Sequence, residues 1–199
     1  GSGSDKGAAQ LVVDEIKAAG GEAVANTDSV ATSDGGESIV QTAVDAFGTV
    51  DIVINNAGIL RDKTFSKIDL ADFRKVVDVH LMGSATCCHT VWPIMREQKY
   101  GRIVLTSSAS GLYGNFGQSN YGAAKAAVNS LTTTLAVEVA PKIRVNAVAP
   151  GPIPTENFDD CMGTDTEEKR AKLLEMIGIP MGRYGRVEEI AGTVKIGRA

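Results

Sequence analysis

The sequence is short of the residues that build specialised chemistry or specialised surfaces. It has two histidines, His80 and His89, and three cysteines, Cys87, Cys88 and Cys161. No CxxC or HxxxH spacing joins them, so no tetrahedral metal site is expected. An odd cysteine count with two members adjacent on a helix is no disulfide framework, and all three read as reduced packing thiols. Basic blocks are missing too: 20 Lys and Arg stand against 24 Asp and Glu, for a formal charge of −4. Nucleic acid and anionic membrane surfaces both need a row of cations to neutralise phosphates, so neither is an expected partner. No apolar run approaches the roughly 18 residues that span a bilayer. The opening GSGSDKGAAQ has neither the basic nor the apolar part of a signal peptide, and the expectation is a cytoplasmic protein.

What the chain does have is length, glycine and a repeating pattern. Its 199 residues are 43% apolar with 22 glycines, above the usual single-domain mode of roughly 100–150 residues and below the size at which cores split. One domain spanning 1–199 is expected. Apolar spacing through Ala8, Leu11, Val12 and Ile16, stopped by Gly20-Gly21, predicts a helix over 7–19. Glu22 to Asn26 reads as a short strand and Gly36 to Phe47 as a second helix. The run Val50-Asp51-Ile52-Val53-Ile54 has the β-branched composition of a strand buried on both faces. Asp69 is placed to cap a third helix, whose apolar positions Phe73, Val76, Val77, His80 and Leu81 share one face. That helix, alone or as a kinked pair, is expected to reach about Gln98 through Pro93. Further on come a strand over Arg102–Thr106, a helix over Asn120–Val139 and a strand over Ile143–Ala149 that ends in Pro150-Gly151-Pro152. The 156–178 segment, polar and then weakly helical, reads as a mobile insertion.

Strands alternating with helices predict an α/β fold with a mostly parallel, doubly wound sheet. Such sheets bind ligands at the carboxyl ends of their strands. Here those ends carry Thr27-Asp28-Ser29, Asn55-Asn56-Ala57-Gly58, Thr106-Ser107-Ser108 and Ala149-Pro150-Gly151, where small and polar residues interrupt the apolar runs.

The strongest chemical signal is Tyr121 with Lys125, four residues apart on one helical face that continues through Val128, Thr132 and Leu135. An ammonium beside a phenol favours phenolate and is expected to lower the tyrosine pKa from its reference of about 10 toward neutrality, which makes a usable general acid and base. Alone the spacing is common on amphipathic helices. Ser108, at the end of the strand RIVLT, adds a hydroxyl that could share a substrate oxygen with Tyr121, although serines also crowd ordinary strand-end turns.

NNAG at 55–58, Ser108, Tyr121-x-x-x-Lys125 and Pro150-Gly151, in this order and spacing, resemble the short-chain dehydrogenase/reductase family over about residues 8–192. Within it, NNAGILRDKTF, KYGRIVLTSSASGLYGNFGQSNY and EAVANTDSV resemble the (3R)-hydroxyacyl-CoA dehydrogenase domain of multifunctional β-oxidation enzymes. The resemblance implies a Rossmann-like fold and hydride transfer between a nicotinamide cofactor and a secondary alcohol or ketone, here the 3-hydroxyl of an acyl-CoA. It implies NAD, with NADP not excluded, and a homo-oligomer, dimer or tetramer, formed through the helices at 69–98 and 120–139. Carried over by position, Tyr121 would exchange the hydroxyl proton, Ser108 would orient the substrate oxygen, and Lys125 would depress the tyrosine pKa and bind the nicotinamide ribose. Asn55, Ala57 and Gly58 would line the cofactor, Asp28 and Ser29 would meet its adenine, and Pro150, Gly151, Ile153 and Thr155 would pack on its nicotinamide. For Asn55 and Pro150-Gly151 a purely structural role is the alternative, and for Asp28 a strand-end cap. Tyr113, Asn115 and Phe116 would shape the substrate mouth.

Two departures stand out. The family pattern V-N-L-x-G holds a catalytic asparagine where this chain reads Val79-His80-Leu81-Met82-Gly83. An imidazole could serve a water relay to Lys125, or His80 could be a satisfied core histidine. The family also opens with a strand and a T-G-x-x-x-G-x-G turn, for which Gly1, Gly3 and Gly7 have the wrong spacing, and closes with a strand not found after KIGRA. The expectation is a domain lacking its first β-α-β unit and last strand, with two unpartnered sheet edges. A non-catalytic association subunit is the alternative function, and an isomerase or epimerase using the same tyrosine and lysine a third.

Overall fold

Three apolar runs of the sequence pair in the order in which they occur. The computed structural model describes residues 6–155, 158–159 and 162–198. Strand β1 (Ile52–Asn55) pairs in parallel with β2 (Gly101–Thr106), and β2 pairs in parallel with β3 (Ile143–Val148). Register places Val53 beside Ile103 and Ile103 beside Val145. The crossovers are helical. Helix α3 (Leu70–Val77), a π-helical turn over Asp78–Met82 and helix α4 (Gly83–Gln98) join β1 to β2. The short α5 (Ser110–Tyr113) and the long α6 (Ser119–Val139) join β2 to β3. Ahead of the sheet lie α1 (Lys6–Ala18) and α2 (Ser33–Phe47); after it come α7 (Glu167–Ile177) and α8 (Val187–Arg198).

Alternation along β2 explains why it is the centre. Ile103 and Leu105 enter the main core with Met95 of α4 and Val128 of α6, while Val104, on the opposite face, is equally buried. The central strand is therefore covered on both sides. Strand β1 departs from that expectation: Ile54, in register with Val104, is 48% exposed. Among the described residues β1 has a hydrogen-bonded neighbour on one side only, so its other edge is open.

The predicted helix boundaries hold where a cap dictates them. The Asp69 carboxylate accepts from the Ala71 amide at 2.8 Å, and α3 starts there. At α2 the cap is Thr32, whose hydroxyl accepts from the Gly35 amide at 3.2 Å, so this helix begins three residues before the expected Gly36. Gly20, in the left-handed region at φ 84°, ends α1 as the Gly20-Gly21 pair predicts.

Three expectations change. Glu22–Asn26 forms no strand; among the described residues no strand lies beside it to supply a ladder. Helix α1 forms, but Leu11, Val12 and Ile16 are exposed and only Val13 is buried, because among the described residues no strand lies under its apolar face. The expected insertion is anchored where it is described. Thr166 caps α7, Arg170 pairs with Asp159, and the Tyr184 hydroxyl donates to the Arg170 carbonyl at 2.7 Å. Residues 156–157 and 160–161 of that segment, including Cys161, lie outside the described residues, as do Gly1 and Gly3.

Candidate active site

The carboxyl end of β2 delivers a hydroxyl to the start of α6. Ser107 continues the ladder through its amide to the Val148 carbonyl at 2.7 Å, and its buried hydroxyl donates to the Lys125 carbonyl at 3.4 Å. The next residue, Ser108, turns the other way. Its oxygen accepts from the Ser110 amide at 3.2 Å, and its hydroxyl acts on the Tyr121 phenol to lower its pKa. Helix α6 is held from below by Asn120, which is fully buried. Its side-chain oxygen accepts from the Tyr121 amide at 2.8 Å, and its amide nitrogen donates to the Arg61 carbonyl at 2.9 Å.

Lys125 follows one turn later and is 3% exposed. Its ammonium donates to the Thr106 carbonyl and lies 5.6 Å from the centre of the Tyr121 ring. Burial lowers its pKa to about 8. The phenol does not show the expected lowering. Burial raises the Tyr121 pKa, the Ser108 hydrogen bond lowers it, and the Asp62 carboxylate raises it. The ammonium is turned to a backbone carbonyl rather than to the phenol oxygen, so it does not offset the desolvation.

His80 projects from the π-helical turn, whose wider winding shifts the register of the face between α3 and α4. The imidazole meets the Tyr121 ring edge-on at 5.1 Å and 87°. Its Nε2 lies 3.1 Å from the Ile59 amide and 2.9 Å from the Ile59 carbonyl. Burial, with the Lys125 charge, lowers its pKa to about 4, so the ring is neutral. Its buried Nδ1 has no hydrogen-bond partner among the described residues. A Cβ at Gly58 would come 2.5 Å from His80 Cε1, and only glycine lets the end of β1 close over the ring.

The other sequence-predicted residues divide. Ala57 and Gly58 are exposed at the end of β1, and no atom stands within 4 Å of a Cβ added at Gly151. Asn55 instead turns inward, its amide donating to Cys88 Sγ at 3.4 Å. Asp28 accepts from the Ser38 hydroxyl at 2.5 Å, and Ser29 accepts from Ala31 at 3.3 Å, so both tie the loop ahead of α2. The Pro150 carbonyl accepts from Ala109 at 3.4 Å, and the Thr155 hydroxyl accepts from the Phe158 amide at 3.2 Å. Ile153 faces Gly185. Tyr113 and Phe116 are almost fully exposed, and Asn115 donates to Gln118 at 3.1 Å.

Four residues that the sequence reading passed over help build the site. Asn56 accepts from the Thr106 hydroxyl at 3.0 Å, fixing the two strand ends together. Asn120, Gln118 and Asp62 join the 59–63 loop to α6. Their signal was the polar run GNFGQSNY beside RDK, which has no helical or strand periodicity to reveal it.

The nicotinamide half of a dinucleotide fits this cleft on the chemistry of the donors. A buried ammonium and a phenol stand by the carboxyl end of β2, and Ala57 and Gly58 are exposed at the carboxyl end of the neighbouring β1. No group of three or more metal-ligating side chains occurs among the described residues, and no described helix is long and apolar enough to cross a membrane.

Comparison with known proteins gives consistent results. Residues 2–164 match the family model for short chain dehydrogenases. The peroxisomal hydratase-dehydrogenase-epimerase of Saccharomyces cerevisiae is 56% identical over 151 residues, which is 75% of this chain but 17% of that protein. A 3-oxoacyl-[acyl-carrier-protein] reductase of Synechocystis is 42% identical over 189 residues, 94% of this chain and 73% of the relative. The crystal structure of NAD+-bound xylitol dehydrogenase superposes with a TM-score of 0.89 at 29% identity, covering 98% of this chain and 80% of that one.

Proposed function

The chain belongs to the short chain dehydrogenase family, and from that membership we propose that its cleft interconverts a secondary alcohol and a ketone with a nicotinamide cofactor, the substrate being a 3-hydroxyacyl-CoA. The observation that carries this reading is the buried Lys125 ammonium at the Thr106 carbonyl, 5.6 Å from the Tyr121 ring, with Ser108 acting on the Tyr121 phenol. NAD is the proposed cofactor, and the substrate class is supported by relatives whose names include a dehydrogenase and a 3-oxoacyl reductase.

When bound, the nicotinamide accepts or returns the hydride. The chain's own residues manage the proton. Ser108 Oγ already accepts from the Ser110 amide, so its proton is free for Tyr121 or a substrate oxygen. Tyr121, held protonated by burial, donates to the oxygen of a ketone as it becomes an alcohol and takes that proton back in the reverse direction. With a pKa of about 8, Lys125 is charged roughly ten to one at pH 7 and is held at the Thr106 carbonyl, placed to donate to a cofactor hydroxyl. Lys125 and Tyr121 would hold the nicotinamide ribose, with Ala57, Gly58, Pro150, Gly151, Ile153 and Thr155 around the ring. Asn55, Asp28 and Ser29 would contribute through the loops they brace, and Tyr113, Asn115 and Phe116 would border the acyl entrance. His80 is the proposed fourth member of the catalytic group. A homo-oligomer through α3–α4 and α6 is proposed as the assembly.

The assay follows formation of reduced nicotinamide from NAD and a 3-hydroxyacyl-CoA. Tyr121→Phe is expected to lower turnover by roughly 10²–10⁴-fold, the usual worth of a positioned acid-base group. Unchanged turnover in that variant would overturn the assignment. A second reading, an association subunit, has one observation in its favour: Leu11, Val12, Ile16 and Ile54 are exposed apolar side chains. Native mass spectrometry that finds a stable oligomer binding no dinucleotide would favour it.

A further inference from the structure

The 59–63 loop and the 115–120 segment meet beside the Ser108–Tyr121 pair through a chain of hydrogen bonds. The Gln118 amide nitrogen donates to the Asp62 carboxylate at 2.7 Å. Its carbonyl oxygen accepts from the Ser110 hydroxyl at 2.8 Å and from the Asn115 amide at 3.1 Å. Ser110 in turn donates its backbone amide to Ser108 Oγ at 3.2 Å. The Lys63 amide donates to the Gly117 carbonyl at 2.9 Å, so the backbones are joined as well.

The orientation of the Gln118 amide follows from one group. A carboxylate only accepts, so Asp62 forces the nitrogen of Gln118 toward itself and the oxygen toward Ser110 and Asn115. Turning the amide over would set oxygen against carboxylate and nitrogen against the Asn115 amide nitrogen. Ser110 sits where it does because α5 lies tight on α6: a Cβ at Gly111 would come 2.7 Å from the Lys125 backbone carbon. Gln118 secures the first residue of that short helix, and that residue's amide holds Ser108.

We propose that Gln118 is a positioning residue for the Ser108–Tyr121 pair, with Asp62 fixing the direction of its amide. The proposal rests on the reading of that pair as the acid-base group. Besides Ser108, the groups facing Tyr121 are His80 from the π-helical turn, Lys125 from α6 and Asp62 from the 59–63 loop. Arg61 and Lys63 in the same loop face Asp72, at 3.8 and 4.0 Å.

Two variants carry opposite expectations. Gln118→Met keeps the volume and removes all three side-chain bonds, so Ser108 loosens and its stabilisation of the phenolate weakens. Asp62→Asn keeps an acceptor for Gln118 but removes the negative charge near the phenol. The readout is ultraviolet titration of Tyr121, taken as the difference from Tyr121→Phe in the same background. At a fixed pH below the midpoint, the phenolate fraction is expected to fall about fivefold in Gln118→Met, the effect of loosening one neutral hydrogen bond. In Asp62→Asn it is expected to rise, and the rise to shrink with added salt because Asp62 is exposed. With the acyl-CoA substrate, Gln118→Met is expected to lower kcat more than it changes KM. An unshifted phenolate midpoint in folded Gln118→Met, or a fall in Asp62→Asn, would overturn the proposal. The surface variant keeps the test decidable if Gln118→Met does not fold. Wild-type chain inactive on the acyl-CoA would sink the substrate assignment alone, since the titration needs no turnover.

Discussion

Lowering the pH from 7 to 5 tests the burial of His80. In the unfolded chain this imidazole takes a proton near its ordinary value of 6.5, whereas in the folded protein burial and the Lys125 charge hold it down to about 4. Below 6.5 the unfolded state therefore binds a proton that the native state refuses, and stability falls as the pH falls until the native ring titrates as well. Multiplying the displacement by roughly 1.36 kcal/mol per pH unit gives about 3 kcal/mol lost in full, of which about 2 kcal/mol is gone by pH 5. That is a large part of an ordinary domain's stability of about 5–15 kcal/mol. The assay is urea unfolding at half-unit pH steps between 7 and 4.5, where a loss of this size moves the midpoint by about 1 M. His80→Asn is the control, because it keeps every other acid-sensitive group, including the Asp159–Arg170 and Glu189–Arg183 pairs. Its stability is expected to change far less over the same range, whatever its value at neutral pH. Parallel curves for the two proteins would refute the reasoning, since they would mean that the native imidazole protonates as easily as the unfolded one.

Lys125 predicts a slope of the same sign at the other end of the scale. Its pKa lies at about 8 against an ordinary 10.5, so the native state releases its proton first and stability contributed by this group rises as the pH climbs from 8 toward 10; Lys125→Met removes that rise, as measured by thermal unfolding. Gly111→Ala is expected to cost about 1–3 kcal/mol by overpacking, because the new methyl would meet the Lys125 backbone at 2.7 Å, and to lower the thermal midpoint together with the Ser108-dependent phenolate fraction.

Much of this protein is fixed by local chemistry that a sequence displays. Helices start where Asp69 and Thr166 offer an oxygen to free amides and stop where Gly20 and Gly178 adopt left-handed backbone. The alternation of β-branched runs with helical spacing determined a parallel α/β sheet, and the spacing of Tyr121 and Lys125 put them on one face of α6. Those features depend on neighbours within one turn or one strand. Others depend on what arrives from elsewhere in the chain, and only the tertiary structure decided them. Leu11, Val12 and Ile16 have the pattern of a buried face, but among the described residues no strand meets them; Glu22–Asn26 has the composition of a strand, but no ladder forms. The Tyr121 pKa goes up rather than down because burial is a property of the whole cleft, while the Lys125 ammonium is drawn to the Thr106 carbonyl at the end of β2. The link from Asp62 through Gln118 to Ser108 crosses 56 residues at one bond. Periodicity cannot reveal such a contact, since polar loop residues acquire their partners only when the sheet brings the two loops together.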